Sequence, residues 1–352
     1  MPRNRIHPQL PYEIIQSEVL PRLPAKSIGR FRCVCKAWNS FLSTPDFARM
    51  HLPYQTNHKL LLLDHHASPT FRTLDCEQPM SQDSITTTLP IPFEGHMSIL
   101  ASLDGLVCVA LRETRELAFW NPVTGAYNKF HTSFYNDMFN GAFALYIDSS
   151  NDYKLVHIVS EGAFIYSRRL DSWRKINHPS LDISELISNY DWSLATFFEG
   201  KVYFRLLNRS LLTTVTSERC IISFDVESEK FKEILCPCSE GYGASLVVLN
   251  DCIHLGVVDD DGLKCDLWRM DGDGWIKVAA FSHSHKFSEW LIWRDIHIKK
   301  NGNLLAIWED NDSFKNVDME DLLTDFYYVG RGNWPHENLG AIYIETLVSP
   351  NP

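Results

Sequence analysis

Cys33-x-Cys35, His65-His66, His283-x-His285 with His297 nearby, and Cys236-Pro237-Cys238 are the places where this chain of 352 residues sets metal-type or redox-type ligands at close spacing. A structural zinc takes four Cys/His ligands. Cys33-x-Cys35 has no second Cys or His pair near it in sequence, so it lacks half a site. His283 and His285 would fall on one side of a strand, but no carboxylate or cysteine is spaced to complete a set. They read as surface histidines. A redox centre would prefer Cys-x-x-Cys, so Cys236-Pro237-Cys238 reads as a loop pair. Asp259-Asp260-Asp261-Gly262 and Asp271-Gly272-Asp273-Gly274 resemble calcium loops but lack the spaced ligands and terminal Glu of one. They fit hairpin turns, where Asp-Gly is favoured. There is no Gly-x-Ser-x-Gly elbow, phosphate loop or dinucleotide fingerprint. A triad assembled only by the fold stays open. No catalytic residue, cofactor or metal site is assigned.

What must position anything else is a small N-terminal helical module. Leu10-Pro11 suits a helix start, because Pro lacks the N–H that would be unpaired there. Glu13 follows in the first turn, where its charge suits the helix dipole. Ile14, Ile15 and Val19 form an apolar stripe. Pro21 and Pro24 predict a helix end near Leu20, and Ser27 offers a cap for the next segment. Ile28, Phe31, Cys35, Trp38 and Leu42 recur at steps of three and four. They make one apolar face shared by two short helices, on which Cys35 should pack. Pro45 closes it, with Phe47 and Leu52 folding back. A module of this size buries little surface, and such modules usually lean on a disulfide, a metal or a partner. A partner is the economical reading. The apolar face is flanked by Arg22, Lys26, Arg30, Arg32 and Lys36, which favours an acidic protein with a hydrophobic groove.

Leu10-Pro11, Ile14-Ile15, Val19-Leu20, Arg22-Leu23-Pro24, Lys26-Ser27-Ile28 and the run Arg30 to Trp38 (RFRCVCKAW), with His51-Leu52 at the end, resemble an F-box over residues 9–52. Gly29 departs from the larger residue frequent there, and Pro21 falls inside the first helical segment. The resemblance implies docking onto the Skp-type adaptor of a cullin–RING ubiquitin ligase. It implies adaptor-binding anchors at Leu10, Pro11, Ile14, Ile15, Leu20, Leu23, Pro24, Ile28, Phe31, Val34, Cys35 and Trp38, some of which must instead form the module's own core.

The net charge of −11 is unevenly spread: residues 1–55 carry eight Lys/Arg against three Asp/Glu, or +5, and the remainder 25 against 41, or −16. An acidic domain of that charge repels phosphate backbones, which argues against nucleic acid as a partner. No run of 18 apolar residues is present, so no membrane span is expected. The N-terminus leads into no apolar signal core, which points to the cytoplasm or nucleus. In that compartment the nine cysteines should be free thiols.

From residue 59 to 350, after a linker at 53–58, the pattern changes to short apolar or alternating runs such as Gly105–Leu111, Leu155–Val159, Val202–Leu206, Ala244–Leu249 and Asn303–Trp308. Turns Asp104-Gly105, Asn151-Asp152, Glu199-Gly200, Asn250-Asp251 and Asn301-Gly302 recur at steps of 47, 48, 51 and 51 residues. After each comes an aromatic pair seven positions apart: Trp120/Tyr127, Tyr166/Trp173, Phe224/Phe231, Trp268/Trp275 and Tyr327/Trp334. An aromatic ending one strand and another beginning the next can pack on one hairpin. Two hairpins per repeat give a four-stranded sheet that must stack on its neighbours, so the repeat predicts a β-propeller of roughly six blades. Closure should use strands from both ends, near Leu60–Leu63 and Ile342–Leu347. Asp182–Ser188 and Met319–Asp325 are possible single helical turns. A pair of β-sandwiches is the alternative. The aromatic pairs resemble the ends of kelch repeats, but the paired glycines of a full kelch motif are missing in every copy. Leu103-Asp104-Gly105-Leu106-Val107-Cys108, Trp120-Asn121-Pro122-Val123-Thr124-Gly125, Asp152-Tyr153-Lys154-Leu155-Val156 and the closing Tyr343 to Pro350 (YIETLVSP) are more similar to the plant F-box-associated domain. The two resemblances together imply a non-catalytic receptor that holds an unidentified client protein for ubiquitination. The rival readings are an adaptor-bound scaffold that degrades nothing, and a propeller lectin or enzyme.

Overall fold

The computed structural model describes residues 10–64, 70–77, 87–132, 141–176, 186, 190–192, 195–208, 219–237, 243–249, 251–258, 264–282, 292–298, 304–310, 324–330 and 340–351. The tail at 1–8, His65-His66, His283/His285, Asp259–Gly262, Asn301-Gly302, Trp334 and most of the two proposed helical turns lie outside them.

The N-terminal module is all helical. α1 (Tyr12–Ile14) runs into a π turn (Ile15–Val19) and a 3-10 turn (Leu20–Arg22). The widening sits just before Pro21, which can neither donate a backbone bond nor tolerate an α turn beneath its ring. α2 (Ala25–Phe31), α3 (Lys36–Leu42) and α4 (Pro45–His51) follow, and a 3-10 turn (Leu52–Tyr54) ends the module. α2 starts after Pro24 with no side-chain cap, so Ser27 is inside the helix and does not cap it. Pro45 opens α4 at its first turn, where Pro is tolerated, and Thr44 Oγ1 accepts from the Phe47 amide at 3.1 Å.

Among the described residues the rest is mostly β-structure, in six sheets. Blade 1 holds β1 (His58–Asp64), β2 (Thr70–Asp75) and β3 (Thr87–Leu89). Blade 2 holds β4 (Met97–Leu103), β5 (Leu106–Leu111), β6 (Glu116–Trp120) and β7 (Tyr127–His131). Blade 3 holds β8 (Ala142–Ile147), β9 (Tyr153–Val159), β10 (Gly162–Ser167) and β11 (Ser172–Ile176). Blade 4 holds β12 (Tyr190–Trp192), β13 (Thr196–Phe198), β14 (Lys201–Asn208), β15 (Arg219–Asp225) and β16 (Lys230–Leu235), with β12 and β13 both pairing β14. Blade 5 holds β17 (Gly243–Leu249), β18 (Cys252–Val258), β19 (Lys264–Asp271) and β20 (Gly274–Ser282). Blade 6 holds β21 (Ile292–Ile298), β22 (Leu304–Asp310) and β23 (Thr324–Gly330). The last strand, β24 (Gly340–Ile344), returns to pair with β1, setting Ile342 opposite Leu60. Strands from the two ends of the domain therefore close the propeller.

The repeat in the sequence is the blade. Asp104-Gly105 and Glu199-Gly200 form two-residue turns with both φ values positive, the geometry that matches the twist of a hairpin. The aromatic pairs end the third strand and begin the fourth. Trp120 faces Tyr127, Tyr166 faces Trp173 and Phe224 faces Phe231 across their ladders. The fourth pair is displaced: Asp271 meets Gly274 in a two-residue turn, so Trp275 faces Met270. The fifth differs more, since β23 runs parallel to β22 and sets Tyr327 beside Ile307.

Each apolar cluster joins neighbouring sheets. One spans blades 1 and 2 around Phe71, Ile99 and Trp120. The next spans blades 2 and 3 around Phe119, Phe130 and Tyr166, and another blades 3 and 4 around Tyr146, Phe204 and Phe224. A further one spans blades 4 and 5 around Ile221 and Leu255. Both faces of an inner strand are covered, which is why β5 is apolar at every position while the outer β7 alternates. Cys76 and Cys108 are buried cysteines outside any disulfide, as expected; Cys236 departs from that expectation, being disulfide-bonded.

Candidate docking face

The helical module builds a core of its own. Leu20, Ala25, Ile28, Leu42, Phe47 and Ala48 are buried together with Leu347 from the end of the chain. Phe41 packs edge-on against Phe47, with ring centroids 5.2 Å apart. Carbonyls left over where the first helical segment ends before α2 find donors further on. His51 Nε2 donates to Leu23 O at 2.9 Å, and Gln55 Nε2 reaches Pro21 O at 3.3 Å. Burial holds His51 below the usual histidine range, with the Leu23 bond acting the other way.

This core sorts the twelve sequence-predicted anchors. Leu20 and Ile28 are fully buried in it, so they shape the module and are not available to grip a partner. Ile15, Leu23, Phe31 and Trp38 are half-buried around it, and Phe31 and Trp38 meet edge-on at 5.5 Å. Leu10 is 61% exposed, Val34 64% and Ile14 43%, while Pro11, Pro24 and Cys35 also stand at the surface. Cys35 is not packed: its Sγ caps α3, accepting from the Trp38 amide at 3.5 Å. A sulfur cap is weak, and it leaves the thiol outward. Val19 of the predicted stripe is exposed too, and Tyr12, Met50 and Tyr54 are further exposed apolar side chains that the sequence pattern did not single out.

The basic flank is also sorted. Arg32 donates Nε and Nη2 to Leu42 O, closing the C-terminal end of α3. Arg22 pairs with Glu18 at 3.1 Å, and Lys26 pairs with Glu345 of the propeller at 2.8 Å. Arg30 and Lys36 remain, exposed and with no side-chain hydrogen bond or ion pair among the described residues, near Val34 and Cys35 in sequence.

The module is held to the propeller by its last residues. Thr346 Oγ1 donates to Asp104 O at 2.6 Å; Asn121 Nδ2 donates to Val348 O at 2.8 Å and Thr346 O at 3.2 Å. Asn121 Oδ1 accepts from the Val123 and Thr124 amides, so this fully buried amide is satisfied at both ends. Tyr153 donates to Asp104 Oδ2 at 2.8 Å. Burial raises the Asp104 carboxyl, and the Tyr153 hydroxyl opposes that shift. A side chain at Gly105 would meet Thr346 Oγ1 at 2.2 Å, so the closing segment lies directly on that turn. Glu345 then bridges Lys26 of α2 and Asn57 of the linker. Four motifs scattered through the sequence thus form one latch beneath the helical module.

Two family models match the chain, an F-box domain at residues 8–50 and an F-box associated beta propeller domain at residues 60–330. The chain belongs to the F-box-associated β-propeller family. An F-box/kelch-repeat protein of Arabidopsis thaliana is 24% identical over 375 residues, covering 97% of this chain and 96% of the relative. A second Arabidopsis F-box protein is 26% identical over 313 residues, 78% of this chain and 73% of its own length. In a third, 26% identical over 254 residues, the match spans 61% of the relative's length. In this F-box protein no group of three or more His, Cys, Asp or Glu that could hold a metal is found among the described residues. No helix among them is long and apolar enough to cross a membrane.

Proposed function

We propose that this F-box protein is the substrate-recognition subunit of a Skp–cullin–F-box ubiquitin ligase. The helical module docks the Skp-type adaptor, and the acidic propeller chooses a client protein. The observation that carries the reading is the apolar surface left over once the module has formed its core. Leu10, Ile14 and Val34 stand in water although Leu20, Ile28, Leu42 and Phe47 already provide an interior. Exposed apolar groups beside free basic ones, here Arg30 and Lys36, suit an acidic groove. The chain then supplies no reacting group: it raises the local concentration of a client lysine near a charged conjugating enzyme in the cytoplasm or nucleus. The test is a titration of purified adaptor against the full chain and against Leu10→Ala/Trp38→Ala. Loss of binding with an unchanged propeller melt supports the reading; unchanged binding overturns it.

A further inference from the structure

A cleft of about 320 Å³ lies between the helical module and blade 3, closed on one side by the final residues of the chain. That volume is at the lower end of sites that hold small organic molecules. Its apolar wall includes Leu52 from the module, Ile147 and Tyr153 from the propeller, and Val348 from the closing segment. Two guanidinium groups line it, Arg49 of α4 and Arg168 just after β10, and no lining residue is acidic.

Arg168 is the more unusual of the two. Its guanidinium lies 5.1 Å from the Tyr153 ring centroid, and Nη1 donates to Ser349 O. Its Nε is buried and makes no hydrogen bond. Leaving such a donor unmade is costly, more so on a charged group. Asp152 is near enough to act on it electrostatically, but that carboxylate accepts from Ser167 Oγ and the Arg169 amide. Among the described residues Arg49 pairs only with exposed Asp46 on its own helix, a surface pair that water and ions readily replace.

We propose that this cleft binds a small organic anion, a carboxylate, sulfonate or phosphate carried on an apolar ring. The head group would meet Arg49 and Arg168, and the ring would lie against Leu52, Ile147 and Tyr153. Arg49 and Leu52 belong to the docking module and the others to the propeller. An occupant therefore braces one against the other, and it does so whether or not an adaptor is bound.

The full-length protein is titrated with 1-anilinonaphthalene-8-sulfonate, followed by fluorescence, and the dye is then displaced with 2-naphthoate or with neutral 2-naphthylmethanol. The expected result is one saturable dye site from which 2-naphthoate displaces at a concentration at least about tenfold below the alcohol, the worth of one charge-assisted hydrogen bond. Arg49→Met and Arg168→Met each weaken the dye by about tenfold on the same ground, while Arg30→Met, the same charge change elsewhere on the module, does not. Non-saturable dye binding, equal displacement by acid and alcohol, or unchanged affinity in an Arg49→Met protein of wild-type melting temperature overturns the proposal. Arg49 is largely exposed and is not part of the buried cluster, so its variant decides the matter even where Arg168→Met fails to fold. No adaptor is present in the assay, so its failure is separate from any failure of the docking reading.

Discussion

The two parts of this molecule treat apolar side chains in opposite ways. The propeller stacks sheet on sheet, and strands such as β5 are buried at every position. The helical module spans barely an eighth of the chain, yet it carries seven of the twelve large apolar side chains exposed among the described residues: Leu10, Tyr12, Ile14, Val19, Val34, Met50 and Tyr54. A short module cannot cover everything it carries. Here, however, the uncovered groups sit beside a complete interior. Small size alone would instead leave the interior itself ragged, with Phe47 or Ile28 partly open. The difference teaches that the module carries apolar surface beyond what its own interior uses, whereas the propeller's apolar content is spent on itself.

The sharpest way to break that contrast is to damage each interior in turn. Phe47→Ala removes the centre of the module and should cost about 3–5 kcal/mol, the usual range for a buried Phe. That is enough to melt a marginal module. Hydrogen exchange should show residues 12–54 losing protection while β8–β11 keep theirs. Phe119→Ala, equally buried between blades 2 and 3, should lower the melting of the propeller as a whole. If Phe47→Ala instead lowers both parts together, the two interiors are one cooperative unit and the contrast fails. Val34→Glu is the surface counterpart: stability should stay within about 0.5 kcal/mol of wild type, as at other exposed positions, whereas adaptor binding should fall steeply.

The latch between the parts comes next in size. Asn121→Ala strands the carbonyls of Thr346 and Val348 and the amides of Val123 and Thr124. Each buried group left without a partner costs about 1–3 kcal/mol, partly relieved by water. The closing segment should become a site of limited proteolysis while β1–β24 pairing persists. Uncut protein would show that the latch is held by packing of Leu347 and Val348 alone.

His157 sharpens the same comparison through pH. It is fully buried in blade 3, stacked on Phe143 at 3.8 Å, and burial depresses its pKa from 6.5 to about 3. The unfolded chain takes up this proton near pH 6.5 and the folded chain does not. Stability from this group is therefore present above pH 6.5 and is lost as pH falls toward 3, by about 1.4 kcal/mol for each pH unit. In His157→Phe that slope should vanish from the propeller's melting profile between pH 6 and 4. A slope that survives belongs to other groups.

Much of this was legible in the chain, and the exceptions have physical reasons. The propeller could be read because its repeat is local: a turn and an aromatic pair within each blade. The reading slipped where turn length changed, at Trp268/Trp275, and where a parallel strand replaced a hairpin, at Tyr327. The apolar stripe of the module was equally visible. Periodicity, however, reports that a face is apolar and not what covers it, so Leu20 and Ile28 looked the same as Ile14 and Val34 until their neighbours were known. The latch was invisible as a unit, since Asn121 and Thr346 are 225 positions apart. Its pieces could be seen only as motifs without a shared purpose.

The smallest expected effect tests whether the blades are locked by more than apolar stacking. Trp173 Nε1 donates to His131 O at 2.8 Å, and Trp275 Nε1 donates to Leu235 O at 2.9 Å. In both, the aromatic that begins the fourth strand of one blade ties it to the end of the last strand of the blade before. The two bonds join different blade pairs, 2 to 3 and 4 to 5. Each lies at the solvent-facing rim, where a net hydrogen bond is worth about 0.5–1.5 kcal/mol. Trp173→Phe and Trp275→Phe keep an aromatic ring and remove the donor. Each should destabilise the propeller by about 1 kcal/mol, and the double variant by the sum, because distant sites add. A double variant no less stable than wild type would mean that these outer bonds are exchanged for water without loss, and that stacking alone orders the blades. A cost well beyond the sum would mean that the two blade pairs are coupled around the ring, which the propeller's closure through β24 and β1 makes possible.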